Sequence, residues 1–220
     1  MTQQLWDDVD TYISDLVVGP DKALDDALAA SDAAGLPRIA VAPNQGKMLN
    51  LFARMTGARR ILEIGTLAGY STIWLARALP ADGRLVTLEA DPRHAEVATA
   101  NLVAAGLAGK VEVRVGKALD TLPSLDGDDP FDLFFIDADK ANNPRYFTWA
   151  LDHSHPGSLI VVDNVVRDGK VTDADSTDPS VLGTRELGEL LANEPRVSAT
   201  MVQTVGSKGY DGFALALVIG

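Results

Sequence analysis

Five short apolar segments, each followed by a helical stretch, constrain the fold of this chain more than any other feature. The segments are ILEIG (61–65), RLVTLE (84–89), VEVRVG (111–116), FDLFFID (131–137) and SLIVVDN (158–164). The stretches between them have helical periodicity, as in 92–105, where Ala95, Ala98 and Leu102 share a face. Strands that alternate with helices predict βαβ units, and therefore a parallel sheet with helices on both faces.

The C-terminal end departs from this alternation. VSATMVQTV (197–205) and GFALALVIG (212–220) both read as strands, and only GSKGYD separates them. Because a parallel connection needs a long crossover, these two strands must pair antiparallel. We therefore predict an α/β fold with a mostly parallel seven-stranded sheet that ends in an antiparallel hairpin. This is the outline of the Rossmann-like class I S-adenosylmethionine-dependent methyltransferases, whereas a dinucleotide dehydrogenase more often ends in another βα unit.

The length of 220 residues suits one α/β domain, which we expect to span residues 1–220. Apolar residues at helical spacing predict helices over 5–18, 21–33 and 44–56. We expect residues 1–40 to form an N-terminal helical segment and 41–220 to form the cofactor-binding and catalytic core.

Composition excludes several classes of protein. The formal net charge of −12 makes nucleic acid and anionic membranes poor partners. The absence of cysteine excludes disulfides, a thiolate zinc site and a cysteine nucleophile. No apolar run is long enough to span a bilayer, and acidic residues stand near the N-terminus where a signal peptide carries basic ones. We expect a cytoplasmic enzyme.

A glycine-containing turn follows the first strand, at the edge of the sheet where ligands of open parallel sheets bind. In EIGTLAGYS (63–71), Gly65 and Gly69 let a ligand lie against the backbone. The G-x-x-x-G spacing differs from the G-x-G-x-x-G that holds a pyrophosphate. It suits the phosphate-free end of S-adenosylmethionine, with Glu63 for the ammonium group and donors near Ser71 for the carboxylate. Alone, this spacing is equally compatible with a simple strand–helix turn.

Two further strand ends fit an adenosine ligand. Glu89 ends the second strand and can accept hydrogen bonds from both ribose hydroxyls. A turn of small residues ending in Ala118 follows the third strand, where an adenine can stack. Neither feature separates S-adenosylmethionine from NAD, and Glu89 can also be a solvated acid.

The fourth and fifth strands end in polar residues that suit a metal ion. Asp137 ends one strand, and Asp163 and Asn164 end the other. If these strands are neighbours about 5 Å apart, the three side chains converge. Oxygen ligands favour Mg²⁺, Mn²⁺ or Ca²⁺ over zinc. Each acid alone can instead be a helix cap.

A divalent cation would explain why no conventional base stands at these strand ends. Chelation of both oxygens of a vicinal diphenol favours the phenolate and orients one oxygen toward the sulfonium methyl group. Lys140 can take the proton if its pKa is lowered, or it can be an ordinary surface lysine.

Histidine and tryptophan residues are not expected in the site. His153 and His155 precede the fifth strand, at the opposite edge of the sheet, and His94 falls in a helix. Trp74 and Trp149 have the positions of helix-packing residues.

Four motifs occur in a fixed order along the chain: LEIGTLAGYS, the Glu89 strand end, FIDADK and VVDN. Together they resemble the motifs of the cation-dependent O-methyltransferases, a family that includes catechol and caffeoyl-CoA O-methyltransferases. The likeness covers about residues 38–220, including KGYDG (208–212). It implies S-adenosylmethionine, a divalent cation (Mg²⁺ first), and a homodimer with the N-terminal helices at or near its interface.

The resemblance also implies roles for particular residues. Implied contacts to the cofactor are Val41 (through its backbone), Glu63, Gly65, Thr66, Ser71, Glu89, Ala118, Asp137 and Asp139. Implied metal ligands are Asp137, Asp163 and Asn164, with Lys140 as base. The segment before residue 38 and the loop 165–180 match least, so the acceptor is not named. Acidic residues at the far end of this loop disfavour a coenzyme A thioester, and we expect a small free phenol.

The sequence therefore predicts a metal-dependent O-methyltransferase that acts on one hydroxyl of a catechol-like acceptor. The alternatives are a metal-independent S-adenosylmethionine methyltransferase, a nicotinamide-dependent oxidoreductase, and a non-catalytic protein that binds an adenosyl ligand.

Overall fold

The computed structural model describes residues 2–220 and contains a seven-stranded sheet of order β3-β2-β1-β4-β5-β7-β6. The strands are β1 (Arg60–Ile64), β2 (Arg84–Glu89), β3 (Val111–Val115), β4 (Leu133–Ile136), β5 (Leu159–Asp163), β6 (Val197–Gly206) and β7 (Gly209–Val218). β1 to β5 are parallel, and β7 pairs antiparallel with both β5 and β6. The predicted sheet with its C-terminal hairpin is confirmed.

Eight α-helices accompany the sheet in residues 2–220. They are α1 (Gln3–Ile13), α2 (Lys22–Ala33), α3 (Pro43–Met55), α4 (Tyr70–Ala76), α5 (Pro92–Ala104), the short α6 (Ala118–Thr121), α7 (Asn143–Asp152) and α8 (Pro179–Asn193). The predicted helix over 5–18 is α-helical only to Ile13, and a π-helical turn, Ser14–Val18, continues it. Single 3₁₀ turns occupy Leu122–Leu125, Lys140–Asn142 and Lys170–Thr172.

The apolar core lies in two layers, one on each face of the sheet. Along β4, Phe134 and Ile136 join one buried cluster, and Leu133 and Phe135 join the other. This division follows from the alternation of side chains along a strand. All four residues are fully buried, as expected for a central parallel strand covered by helices on both sides.

The C-terminal hairpin is tighter than the sequence suggested. GSKGYD was expected to be a connecting loop, but only Ser207 and Lys208 lie between the strands. Gly206 pairs with Gly209, which has a φ of +91° that glycine adopts readily. Tyr210 and Asp211 belong to β7 and pair with β6, so both strands are longer than predicted at this end.

The order of the strands reverses between β1 and β4, which are neighbours although β2 and β3 come between them in the chain. Such a switch point opens a crevice beyond the carboxyl ends of the strands. None of the helices formed by residues 2–220 combines the length and the apolarity of a membrane-spanning helix.

Candidate active site

A cleft of about 1000 Å³ opens at the carboxyl ends of β1, β2, β4 and β5. It contains most of the site residues expected from the sequence. Those lining it are Val41, Gly65, Thr66, Ser71, Glu89, Ala118, Asp137, Asp139, Lys140 and Asn164. Glu63 and Asp163 do not line it and lie buried beneath its floor.

The turn after β1 can be made only with glycine. Gly65 has a φ of +100°, and a Cβ atom there would lie 2.0 Å from the carbonyl oxygen of Asp137. Gly69, with a φ of +82°, caps the start of α4 in the left-handed conformation. Since Ile64 pairs with Ile136, Gly65 lies beside Asp137 where the two strands end. Gly65 therefore brings the backbone of this turn against the end of β4, and Gly69 lies against Ala98 of α5.

Glu63 is fully buried, a placement that differs from the expected direct contact with a ligand. Its carboxylate accepts hydrogen bonds from the hydroxyls of Ser71 (2.6 Å), Thr72 (2.5 Å) and Thr87 (2.7 Å). Burial raises the pKa of Glu63 to about 7, against the opposing effect of these hydroxyls. Ser71 lines the cleft and Glu63 does not, so the hydroxyl of Ser71 lies between Glu63 and the cleft.

Glu89 lies at the cleft wall and fixes the glycine turn. Its Oε2 accepts hydrogen bonds from the backbone N–H groups of Thr66 (3.1 Å) and Leu67 (2.8 Å). Its Oε1 accepts one from the N–H of Asp91 at 3.0 Å. The carboxylate thus joins the ends of β1 and β2 and keeps lone pairs toward the cleft.

The expectation that His94 lies away from the site is wrong. Its ring lines the cleft, with Nδ1 3.5 Å from Oε1 of Glu89. Only Ala90 and Asp91 separate β2 from α5, so a residue in the first turn of this helix lies at the ligand edge of the sheet. The expectation holds for His155, whose Nε2 lies 2.9 Å from Oδ1 of Asp132, at the start of β4.

The carboxylates that end β4 and β5 lie close together. Ile136 pairs with Val162, so the next residues, Asp137 and Asp163, follow adjacent positions of two parallel strands. Burial, together with the nearby charge of Asp137, raises the pKa of Asp163 to about 7. Lys140 is also buried, and its Nζ lies 2.6 Å from Oδ1 of Asp137.

Comparisons with known proteins agree with this geometry. A family model described as O-methyltransferase matches residues 21–219. A catechol O-methyltransferase of Niastella koreensis is 55% identical over 220 residues, which cover 99% of this chain and 100% of that protein. The chain belongs to the O-methyltransferase family. A catechol O-methyltransferase of Mycobacterium tuberculosis is 57% identical over 211 residues, 96% of this chain and 95% of that protein.

Two solved O-methyltransferase structures superimpose closely on the chain. The enzyme from Bacillus cereus, in complex with SAH, has a TM-score of 0.97 and 55% identity over 99% of this chain and 100% of that one. TomG from Streptomyces achromogenes, in complex with SAM, has a TM-score of 0.97 and 56% identity over the whole of both chains. The predicted enzyme class, an S-adenosylmethionine-dependent O-methyltransferase, is confirmed. The oxidoreductase and non-catalytic alternatives find no support.

The donor set of this O-methyltransferase suits a hard divalent cation. Within residues 2–220 there is no cluster of three or more His, Asp or Glu side chains arranged for a metal. The expected set has two carboxylates, with the amide of Asn164 as its third oxygen donor. Asn164 lines the cleft and has a left-handed φ of +60°. Asp163 is buried and Asp137 is partly buried beside it, so the two carboxylates repel each other, and a cation between them would relieve that repulsion.

Several residues in or beside the cleft had no sequence signal. Gln45, in the first turn of α3, donates a hydrogen bond of 2.8 Å to Oδ2 of Asp163, across 118 positions of the chain. Tyr146 donates one of 2.5 Å to Oδ1 of Asp139. Arg145 and Arg167 also line the cleft. None of them directly ends a strand, so only the three-dimensional arrangement identifies them.

Proposed function

We propose that this O-methyltransferase transfers a methyl group to one hydroxyl of a small vicinal diphenol, with a divalent cation at the ends of β4 and β5. The observation that carries the proposal is the adjacent pair of carboxylates, Asp137 and Asp163, beside the Gly65 turn. The preferred cation is Mg²⁺, with Mn²⁺ or Ca²⁺ as alternatives, because all three prefer oxygen ligands.

The acceptor class is supported by the names of the relatives. Two proteins that share more than half of their residues with this chain over nearly its full length are catechol O-methyltransferases. The loop after β5 carries Asp173, Asp175 and Asp178, which repel the phosphates of a coenzyme A thioester. A small free phenol is therefore favoured over such a thioester.

Cofactor contacts are assigned to the rest of the cleft. Glu89 accepts hydrogen bonds from the ribose hydroxyls, as strand-end acids do in related folds. Ser71 binds the amino-acid end of the cofactor and is oriented by Glu63. The remaining contacts come from Val41, Gly65, Thr66, Ala118, Asp137 and Asp139, nearly all of them at turns or strand ends.

The chain's own residues prepare the acceptor for transfer. Asp137, Asp163 and Asn164 would hold the cation, which when bound lowers the pKa of a chelated hydroxyl. Lys140, whose Nζ lies 2.6 Å from Oδ1 of Asp137, accepts the hydroxyl proton at Nζ. Gln45 fixes the orientation of the Asp163 carboxylate. The deprotonated oxygen then attacks the sulfonium methyl group, and S-adenosylhomocysteine is the leaving group.

A catechol panel run with Mg²⁺ and with EDTA tests the proposal, with methylated products detected by mass. We expect turnover with Mg²⁺ and a loss of at least about 100-fold with EDTA or in Asp163→Asn. Calorimetry should give an S-adenosylhomocysteine affinity for Asp163→Asn within a few-fold of the wild type. The control Asp26→Asn changes an exposed residue of α2 and should behave as wild type. Full activity in EDTA would instead establish the metal-independent alternative.

We also propose that the enzyme is a homodimer. No residue of α1 is buried in the single chain, and its apolar stripe is exposed: Leu5, Val9, Tyr12, Leu16 and Val17, the last two in the turn that continues the helix. α1 packs beside the edge strand β6, where Met201, Val202 and Val205 are also exposed. An apolar surface of this extent is typical of an interface. A second copy of the chain is the occupant we assign.

A further inference from the structure

Arg167 lines the cleft, yet its guanidinium forms no hydrogen bond with any of residues 2–220. Its Nε is buried without a partner. The guanidinium forms a long ion pair with Asp211, whose Oδ2 lies 3.8 Å from Nη1, beyond hydrogen-bonding distance. A buried donor without a partner is unfavourable, and such a group in a native protein calls for an explanation.

The backbone that carries Arg167 is held in an unfavourable conformation. Arg167 and Asp168 have φ values of +57° and +56°, in the left-handed region that is unfavourable for non-glycine residues. Asp211 on β7 stabilises this turn, since its Oδ1 accepts the backbone N–H groups of Val166 (2.9 Å) and Arg167 (3.0 Å). The strand therefore fixes the loop with the Arg167 side chain at the cleft.

The location of Arg167 connects it to the acceptor end of the cleft. It follows Asn164 by three residues, which limits the separation of their Cα atoms to about 11 Å. Asn164 and Lys140 line the same cleft. A diphenol held beside Asp137 and Asn164 would thus place a ring substituent within reach of the Arg167 guanidinium.

We propose that Arg167 determines acceptor specificity by binding a carboxylate substituent of the diphenol, an assignment that rests on the proposed function. The planar guanidinium matches a carboxylate with two parallel hydrogen bonds, which an amide or ester cannot reproduce. The net charge of −12 disfavours polyanions, so the acceptor class is a monocarboxylated vicinal diphenol.

A matched pair of acceptors tests this assignment. The first pair is 3,4-dihydroxybenzoate and its primary carboxamide, which have the same shape and differ in charge. The second pair is 3,4-dihydroxycinnamate and its primary carboxamide, in which the carboxylate or amide is farther from the ring. With Mg²⁺, the wild-type enzyme should prefer the acid in at least one pair by about tenfold or more in kcat/KM, mainly through KM.

Three variants separate recognition from a structural role. Arg167→Met should reduce the acid-to-amide ratio of kcat/KM to about one, and Arg167→Lys should keep part of the preference because it keeps the charge. The control Lys170→Met removes an exposed cation from the same loop, outside the cleft, and should keep the wild-type ratio. Equal losses for acid and amide in Arg167→Met would leave the ratio unchanged and overturn the assignment.

The outcomes also separate this assignment from the proposed function. If the wild-type enzyme methylates acid and amide equally in both pairs, the proposed function stands and the Arg167 assignment is wrong. Wild-type enzyme that methylates no diphenol of the panel would overturn the proposed function, and the assignment with it.

Discussion

Glu63 lies in an environment unlike that of an ordinary carboxylate. It is fully buried, and three hydroxyls donate to it. The buried charge remains costly, since the pKa of Glu63 is raised to about 7. A carboxyl group with a raised pKa in the folded state binds more protons there than in the unfolded state. Its contribution to stability is therefore lost as pH rises from about 4.5 toward 7.

We expect Glu63→Gln to flatten the pH dependence of stability between pH 5 and pH 8. Urea unfolding measures the free energy of unfolding of both proteins. As pH rises over this range, the value for the variant should increase relative to that for the wild type by roughly 3 kcal/mol. The control Glu96→Gln changes an exposed glutamate of α5 and should keep the wild-type pH dependence. Parallel pH profiles for Glu63→Gln and wild type would show that Glu63 is not the titrating group.

At the scale of elements, α8 packs closely against the turn that carries Lys140. A Cβ atom on Gly183 of α8 would lie 2.4 Å from the carbonyl oxygen of Lys140 and 2.8 Å from Cα of Ala141. Both atoms belong to the backbone, which cannot move aside as a side chain can. The same helix contains Gly188, where a Cβ atom would meet only Sδ of Met201 at 3.8 Å. The two glycines therefore provide a matched comparison within one helix.

We expect Gly183→Ala to lower the free energy of unfolding by about 1–3 kcal/mol, because the helix or the turn must shift to admit the methyl group. Gly188→Ala should raise it by about 0.5–1 kcal/mol, since alanine is the better helix former. Urea unfolding measures both. A stabilising Gly183→Ala would contradict the close packing of α8 on the Lys140 turn.

For the whole molecule, the two edges of the sheet differ in what covers them. At the β6 edge, α1 and its exposed apolar stripe lie next to exposed apolar residues of the strand. At the β3 edge, α5 packs along the strand, and Val103 is a large exposed apolar residue of this helix. A second copy of the chain binding at the β6 edge would bury the larger of these apolar surfaces.

Light scattering after size-exclusion chromatography should give the wild type a mass of twice the 23.3 kDa of one chain. Leu16→Glu, at a side chain that is 67% exposed in the single chain, should shift the protein to monomer without loss of helix content. Val103→Glu, at a residue 60% exposed on the opposite edge, should remain dimeric. A monomeric wild type would refute the homodimer.

Local patterns in the sequence determined the sheet, its hairpin and the strand ends that carry the site. Apolar periodicity identified the strands. Because parallel strands all end at the same edge of a sheet, this placed Gly65, Glu89, Asp137 and Asp163 at one edge. These inferences hold because strand periodicity and the direction of a parallel strand depend on residues close together in the chain.

Tertiary structure alone decided how deep each group lies and which distant groups meet. The sequence could not show that Glu63 is fully buried while Ser71 lines the cleft, or that His94 lines it. The same holds for the Gln45–Asp163 hydrogen bond and for Arg167, whose loop is fixed by Asp211 from another strand. Depth, side-chain direction and long-range pairing follow from how helices and loops pack on the sheet, which no local pattern encodes.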